Sequence, residues 1–180
     1  SEAVFGISPS DGQLKSFIYP LNSGGQLSIS GKIDRVDTAD TMEQTFLQIV
    51  DYKSGKKDFN ILDTYYGLDL QVLTYLSVAL KNYTGTKAFG AFYQPLIHSY
   101  LAYKEKEMPE NFEVMEELQL AENTFKGFVS VDEEQLTRID TSIELTNNSL
   151  IYPVKFKKGG AYNAYSHVFS EEELDIIVKE

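Results

Sequence analysis

Between Gln26 and Asp34 apolar and polar residues alternate, with Leu27, Ile29, Gly31 and Ile33 on one side and Ser28, Ser30 and Lys32 on the other. A period of two over this length predicts a half-buried strand. Phe46 to Lys53 predicts a second strand, ended by Ser54-Gly55, and the polar stretch 38–44 is short enough to make the two an antiparallel hairpin. Downstream, Leu68, Val72, Leu76 and Ala79 recur at helical spacing, and Leu73 and Leu80 widen the stripe. They predict a helix capped by Asp63 or Thr64, running to about Lys81 and stopped by Asn82 and Gly85. Lys87 to Gln94 predicts a third strand, rich in aromatic residues and closed by Pro95, and residues 97–104 extend the sheet.

Residues 110–125 and 132–140 predict helices, the second capped by Asp132. Ile151 to Phe156 predicts a late strand before the turn Lys157-Lys158-Gly159-Gly160, and Ser170 with Glu173 forms a capping box for a last helix. Residues 1–25 carry Pro9, Asp11-Gly12, Pro20 and Gly24-Gly25, which predict irregular chain. Strands followed by a helix, a strand, more helices and a strand predict an α/β or α+β fold: a mixed central sheet flanked by helices. A single domain is expected over residues 1–180, with no internal repeat.

Composition narrows the chemistry. The chain has 42% hydrophobic residues and no cysteine, so it is expected to fold, and disulfides and iron–sulfur clusters are excluded within it. No apolar run is long enough for a membrane span, and the first residues lack a signal-peptide pattern, so a soluble, cytoplasmic protein is expected. A net charge of -11 argues against a general nucleic-acid binder, because phosphate contacts need Lys and Arg. It does not exclude an enzyme whose carboxylates hold cations. The acidic runs Glu113, Glu116, Glu117 and Glu171 to Glu173 read as solvated helix surface.

Three short pieces carry the chemistry: Gly31-Lys32-Ile33-Asp34, then Asp51-Tyr52-Lys53, then Gln71 and Tyr75. Asp51 and Lys53 are two apart on a strand and share a face. That face begins apolar with Leu47 and Ile49 and ends in a charge pair, which is costly there unless compensated or used. The hairpin brings Asp34 towards Asp51, and a hard divalent cation, magnesium or manganese, would turn the repulsion of two carboxylates into attraction. Lys53 would then sit beside the water nucleophile, to orient or deprotonate it or to neutralise transition-state charge. Gln71 and Tyr75, four apart, share a helix face, and Lys56 and Lys57 can add phosphate contacts. Arg35 and Asp37 read as a structural pair in a turn, and His98 and His167 have no metal-ligand neighbours at useful spacing.

The ordered set Gly-x-Ile-Asp, Asp-Tyr-Lys and Gln-x-x-x-Tyr resembles the PD-(D/E)xK nuclease superfamily, in the branch related to RecB. With Tyr65-Tyr66-Gly67-Leu68 and the late Lys157-Lys158-Gly159-Gly160 added, nearly the whole chain is similar to the C-terminal domain of the B subunits of the AddAB (RexAB) helicase–nuclease family. The resemblance implies a restriction-endonuclease-like fold and a metal-dependent DNA exonuclease domain that resects double-strand breaks beside a helicase–nuclease A subunit. Its substrate would be single-stranded DNA from the unwound duplex. It implies Asp34 and Asp51 as metal ligands, with the Tyr52 carbonyl as a third, Lys53 as catalytic, and Gln71 and Tyr75 as substrate-positioning groups. That family's domain opens with a helix carrying a further metal-site residue, whereas both histidines here lie downstream of the strands. A fragment lacking its first helix, weakly active or inactive alone, is therefore expected. The contrasting expectation is a catalytically silent docking domain in the same assembly.

Overall fold

The structure, a computed structural model, describes residues 1–6, 14–96, 123–146, 148–157, 162–163 and 166–179. Its centre is a four-stranded mixed sheet in the order β5 (Arg35–Asp40), β6 (Thr45–Lys53), β7 (Thr86–Pro95), β8 (Lys126–Val129). β5 and β6 are antiparallel, β6 and β7 parallel, β7 and β8 antiparallel. The parallel step needs a crossover, and the chain supplies it with α1 (Ile61–Tyr65) and α2 (Gln71–Asn82). Two short ribbons lie apart from this sheet: β1 (Ala3–Phe5) with β4 (Gly31–Ile33), and β2 (Phe17–Pro20) with β3 (Gln26–Ile29).

β6 is buried on both faces, as a central strand must be. Leu47 and Ile49 pack on one side with Val72, Leu76 and Ala79 of α2 and Leu174 of α5 (Glu171–Lys179). Phe46 and Val50 pack on the other with Leu136 of α3 (Glu133–Ile139) and Ile143 of α4 (Ser142–Thr146). Helices therefore cover both sheet faces. Each fully buried Leu or Ile here contributes about 1.5–3 kcal/mol relative to exposure. No helix among the described residues is long and apolar enough to cross a membrane.

Several expectations need correction. The alternating run Gln26–Asp34 is two strands, because the chain changes partner at Ser30: β3 pairs with β2 and β4 with β1. Periodicity reports which face a residue lies on, not which strand it pairs with. The hairpin itself is antiparallel as expected, but its first arm is β5, which starts after Asp34 and runs on through residues 38–40. Arg35 to Asp37 is accordingly strand rather than turn, although the Arg35–Asp37 pair is present. Residues 1–25 contain β1 and β2 instead of only irregular chain. The helix expected from residue 63 to 81 is two helices. Asn60, not Asp63 or Thr64, caps the first by accepting from Leu62 N. Gly67, at φ +73°, breaks the run and leaves Leu68 77% exposed rather than in the stripe.

The late strand Ile151–Phe156 is reduced to isolated bridges at Lys155 and Phe156, while β8 and α4 were not foreseen. Both remaining capping expectations hold, at Asp132 with Gln135 and at Ser170 with Glu173. Residues 97–104, nearly all of the expected helix 110–125, Glu113, Glu116, Glu117, His98 and the glycines of the 157–160 turn lie outside the described residues.

Candidate active site

The candidate residues converge where β6 and β7 end and α2 begins, the side of a parallel pair where open α/β sheets present their ligands. The β5–β6 register, Arg35 opposite Val50 and Val36 opposite Ile49, continued by one residue sets Asp34 opposite Asp51. Asp34 Oδ2 accepts from the backbone N–H of Tyr52 at 2.9 Å, which ties the start of β5 to the end of β6. The end of β6 is also held from β7, since Leu96 N donates to the Lys53 carbonyl at 2.8 Å. Asp51 and Lys53 project towards α2, whose first residue is Gln71.

These side chains form one network. Lys53 Nζ donates to Gln71 Oε1 at 2.6 Å and contacts Asp51 Oδ2 at 2.6 Å. Gln71 Nε2 donates to Asp51 Oδ1 at 3.0 Å and to the Tyr75 hydroxyl at 3.1 Å. One amide thus reads both members of the charge pair and the tyrosine one turn on. Asp51 is only 3% exposed. Its Oδ2 has the Lys53 ammonium as its one partner among the described residues. Burial pushes the Asp51 carboxyl above its ordinary value; Lys53 opposes this, and the negative charges of Asp34 and Asp69 reinforce it.

The motif glycine has a packing reason. A Cβ on Gly31 would stand 2.9 Å from Phe5 Cζ and 3.6 Å from Tyr75 Cε1. Gly31 leaves room for Phe5 to meet the Tyr75 ring edge-on, with centroids 5.9 Å apart, and so fixes the helix residue beneath Gln71.

Of the lysines expected at phosphate, Lys56 is exposed, whereas Lys57 is paired with Asp69 at 2.7 Å. Asp69 and Tyr93 belong to the site and belong to none of the sequence motifs. The Tyr93 hydroxyl donates to Asp69 Oδ1 at 2.6 Å, and its ring carries Lys53 Nζ at 5.2 Å and Lys57 Nζ at 5.3 Å from the centroid. The available signal was a lone tyrosine directly after the apolar run 88–92 of the strand. His167 faces Gly127 O at 3.2 Å and the ring of Phe59, away from the network. A separate cavity of about 700 Å³ opens beside Thr86 and Lys87, at the opposite end of β7 from Tyr93.

The donor set suits a hard divalent cation. Asp34 lies one residue beyond the paired register, opposite Asp51, and the buried Asp51 Oδ2, with the Lys53 ammonium as its one partner among the described residues, keeps a lone pair that an ion can take. Among the described residues no cluster of three or more His, Cys, Asp or Glu side chains occurs, so the carboxylates would need backbone, water or substrate oxygens to complete a shell.

An Asp-x-Lys pair at the end of a central strand, an Asp set opposite it and a Gln-x-x-x-Tyr helix on a mixed sheet together resemble the site of a known nuclease class. The model of the PD-(D/E)XK nuclease superfamily matches residues 2–148, and the chain belongs to that superfamily. It is 34% identical over 180 residues, 97% of its length, to the B subunit of the ATP-dependent helicase/deoxyribonuclease of Listeria welshimeri. The corresponding B subunit of Pediococcus pentosaceus is 34% identical over 99% of the chain, and that of Clostridium novyi 36% identical over 87%. The chain spans 14–16% of the length of these curated relatives.

Proposed function

We propose that the chain is the metal-dependent DNA exonuclease domain of a bacterial helicase–nuclease, acting on single-stranded DNA released by a helicase–nuclease A subunit during resection of double-strand breaks. The observation that carries this reading is Asp51: a buried carboxylate set opposite Asp34, whose Oδ2 has only the Lys53 ammonium beside it among the described residues.

In this reading Asp34 and Asp51, with the Tyr52 carbonyl, hold magnesium or manganese, which when bound supplies Lewis-acid polarisation of the scissile phosphate. Lys53 orients or deprotonates the attacking water, or neutralises charge on the phosphate in the transition state. Gln71 keeps the Lys53 ammonium and the Asp51 carboxylate in fixed relation, and Tyr75 presents a hydroxyl beside them for the DNA backbone. Lys56 offers a cation for a flanking phosphate. The 180 residues alone are expected to cleave weakly or not at all, because two carboxylates hold a divalent ion weakly.

The same network supports a second reading. Asp51, Lys53, Gln71 and Tyr75 bond to one another, as a silent docking domain could also have them do. Asp51→Ala in the full-length chain with its partner decides between them. Loss of cleavage of the strand this domain handles is expected; unchanged cleavage of both strands overturns the nuclease reading.

A further inference from the structure

Tyr93 and Asp69 are the best-defined polar groups that the proposed mechanism does not use. Tyr93 lies opposite Asp51 in the parallel register of β6 and β7 and is 0% exposed. A phenylalanine would fill the same space without burying a hydroxyl. The hydroxyl donates to Asp69 Oδ1 at 2.6 Å and is met by the Val72 backbone, and the other Asp69 oxygen pairs with Lys57 at 2.7 Å, with the Asp69 side chain 10% exposed. Burying a hydroxyl and a carboxylate is costly unless each is partnered. The partners form a chain, and that chain fixes the ring that Lys53 and Lys57 both face. Two acid–base pairs flank this one ring: Asp51 with Lys53, and Asp69 with Lys57.

The consequence falls on Lys53. Its ammonium has three holds: the Asp51 carboxylate, the Gln71 carbonyl oxygen and the electron-rich Tyr93 ring. Asp51 is also a proposed ion ligand, and a carboxylate shared with a divalent ion attracts an ammonium less. The other two holds do not depend on Asp51. We propose that Asp69 and Tyr93 are positioning residues for Lys53, and that Lys57 is the counter-ion of Asp69 rather than a phosphate contact. This rests on the nuclease reading above.

The test uses the full-length chain with its partner subunit and two measurements. One is the kinetics of single-stranded DNA cleavage. The other is the acetylation rate of Lys53 relative to exposed Lys56, read by peptide mass spectrometry, which needs no activity. Tyr93→Leu is expected to lower kcat about tenfold with little change in KM, the size of a lost cation–π contact, and to raise Lys53 labelling several-fold. Tyr93→Phe keeps the ring but cuts its tie to Asp69, so it should lower kcat about threefold and raise Lys53 labelling less than Tyr93→Leu does. Asp69→Asn, which removes no core volume but loses the ion pair with Lys57, should match Tyr93→Phe and carries the test if Tyr93→Leu does not fold.

The proposal is overturned if Asp69→Asn leaves both measurements unchanged, or if Tyr93→Phe is as damaging as Tyr93→Leu. It is equally overturned if Asp69→Asn raises KM with kcat intact, which would return Lys57 to DNA binding. Asp51→Ala run alongside separates the two ideas: if it still cleaves, the nuclease reading fails on its own, whatever the labelling ratio does.

Discussion

Adjacent strands of one hairpin carry the same sequence device with opposite outcomes. Arg35-x-Asp37 on β5 and Asp51-x-Lys53 on β6 are both acid–base pairs two residues apart. In the first, Arg35 Nε donates to Asp37 Oδ1 at 3.0 Å and Gln48 Nε2 donates to Oδ2 at 3.1 Å, so both oxygens are bonded. The pair is open to water, with side chains 47% and 27% exposed. Burial alone would raise the Asp37 carboxyl, but the bonds from Arg35 and Gln48 outweigh it and hold the group below its ordinary value. Asp51 is sealed, and although Gln71 and Lys53 each meet one of its oxygens, burial wins. Spacing creates the pair. Desolvation decides whether it is a settled contact or a carboxylate that a cation can stabilise.

The largest expected effect breaks this comparison outright if it fails. Asp51→Ala should lower single-stranded DNA cleavage by about a thousandfold, while Asp37→Ala should change it less than about threefold. Comparable losses would mean that the two pairs are not functionally distinct. Next in size, Gln71→Ala removes the amide that links Asp51, Lys53 and Tyr75, and kcat should fall about tenfold to a hundredfold. Gln48→Ala, which removes the matching amide from Asp37, is the control and should leave kcat within about threefold. A similar fall in both would reduce the Gln71 effect to general loosening of the hairpin.

The contrast between the pairs explains what the sequence could disclose. Asp34, Asp51, Lys53 and Gln71 were legible because strand and helix periods put them on shared faces, and the hairpin and crossover then brought those faces to one sheet end. Superfamily membership was legible for the same reason: its motifs are local. Asp69 and Tyr93 were not. Their contact depends on the β6–β7 register and on a loop turned by Gly67, neither of which any local pattern encodes. Leu68 was placed on a helix face because the periodicity runs unbroken through the glycine. β1 and β2 escaped notice because strands of 3 and 4 residues are too short to establish a period. Their partners were then misjudged too, since Gly31 faces Phe5 and not the next arm of the hairpin.

A metal titration sharpens the comparison further. Millimolar manganese should raise the thermal midpoint, by the equivalent of about 1–2 kcal/mol if the ion is some ten- to thirtyfold above its dissociation constant. The shift should vanish in Asp34→Ala and Asp51→Ala and persist in Asp37→Ala. Persistence in Asp51→Ala would place any bound ion away from the proposed centre.

The smallest effect is the most specific, because its sign differs between the two pairs. Asp37 has a lowered folded-state value, so its contribution to stability is present above the unfolded value of 3.8 and is lost as pH falls through the folded one. Asp37→Asn should therefore destabilise the fold at pH 7, by no more than about 1 kcal/mol for so exposed a pair, and converge with the parent only as pH falls through the lowered folded value. Asp51 has a raised value, so folding favours its protonated form. That stability is complete below 3.8 and is lost as pH rises through the folded value, leaving the ionised carboxylate as a cost at neutral pH. Metal-free Asp51→Asn should thus be at least as stable as the parent at pH 7, even as cleavage collapses. The amide can still accept from Gln71, and Lys53 keeps the Gln71 oxygen and the Tyr93 ring. Thermal midpoints of the two variants and the parent from pH 3 to 7 give the answer. If Asp51→Asn loses stability at pH 7 as Asp37→Asn does, Asp51 is a settled structural partner of Lys53, and the difference drawn between the two strands disappears.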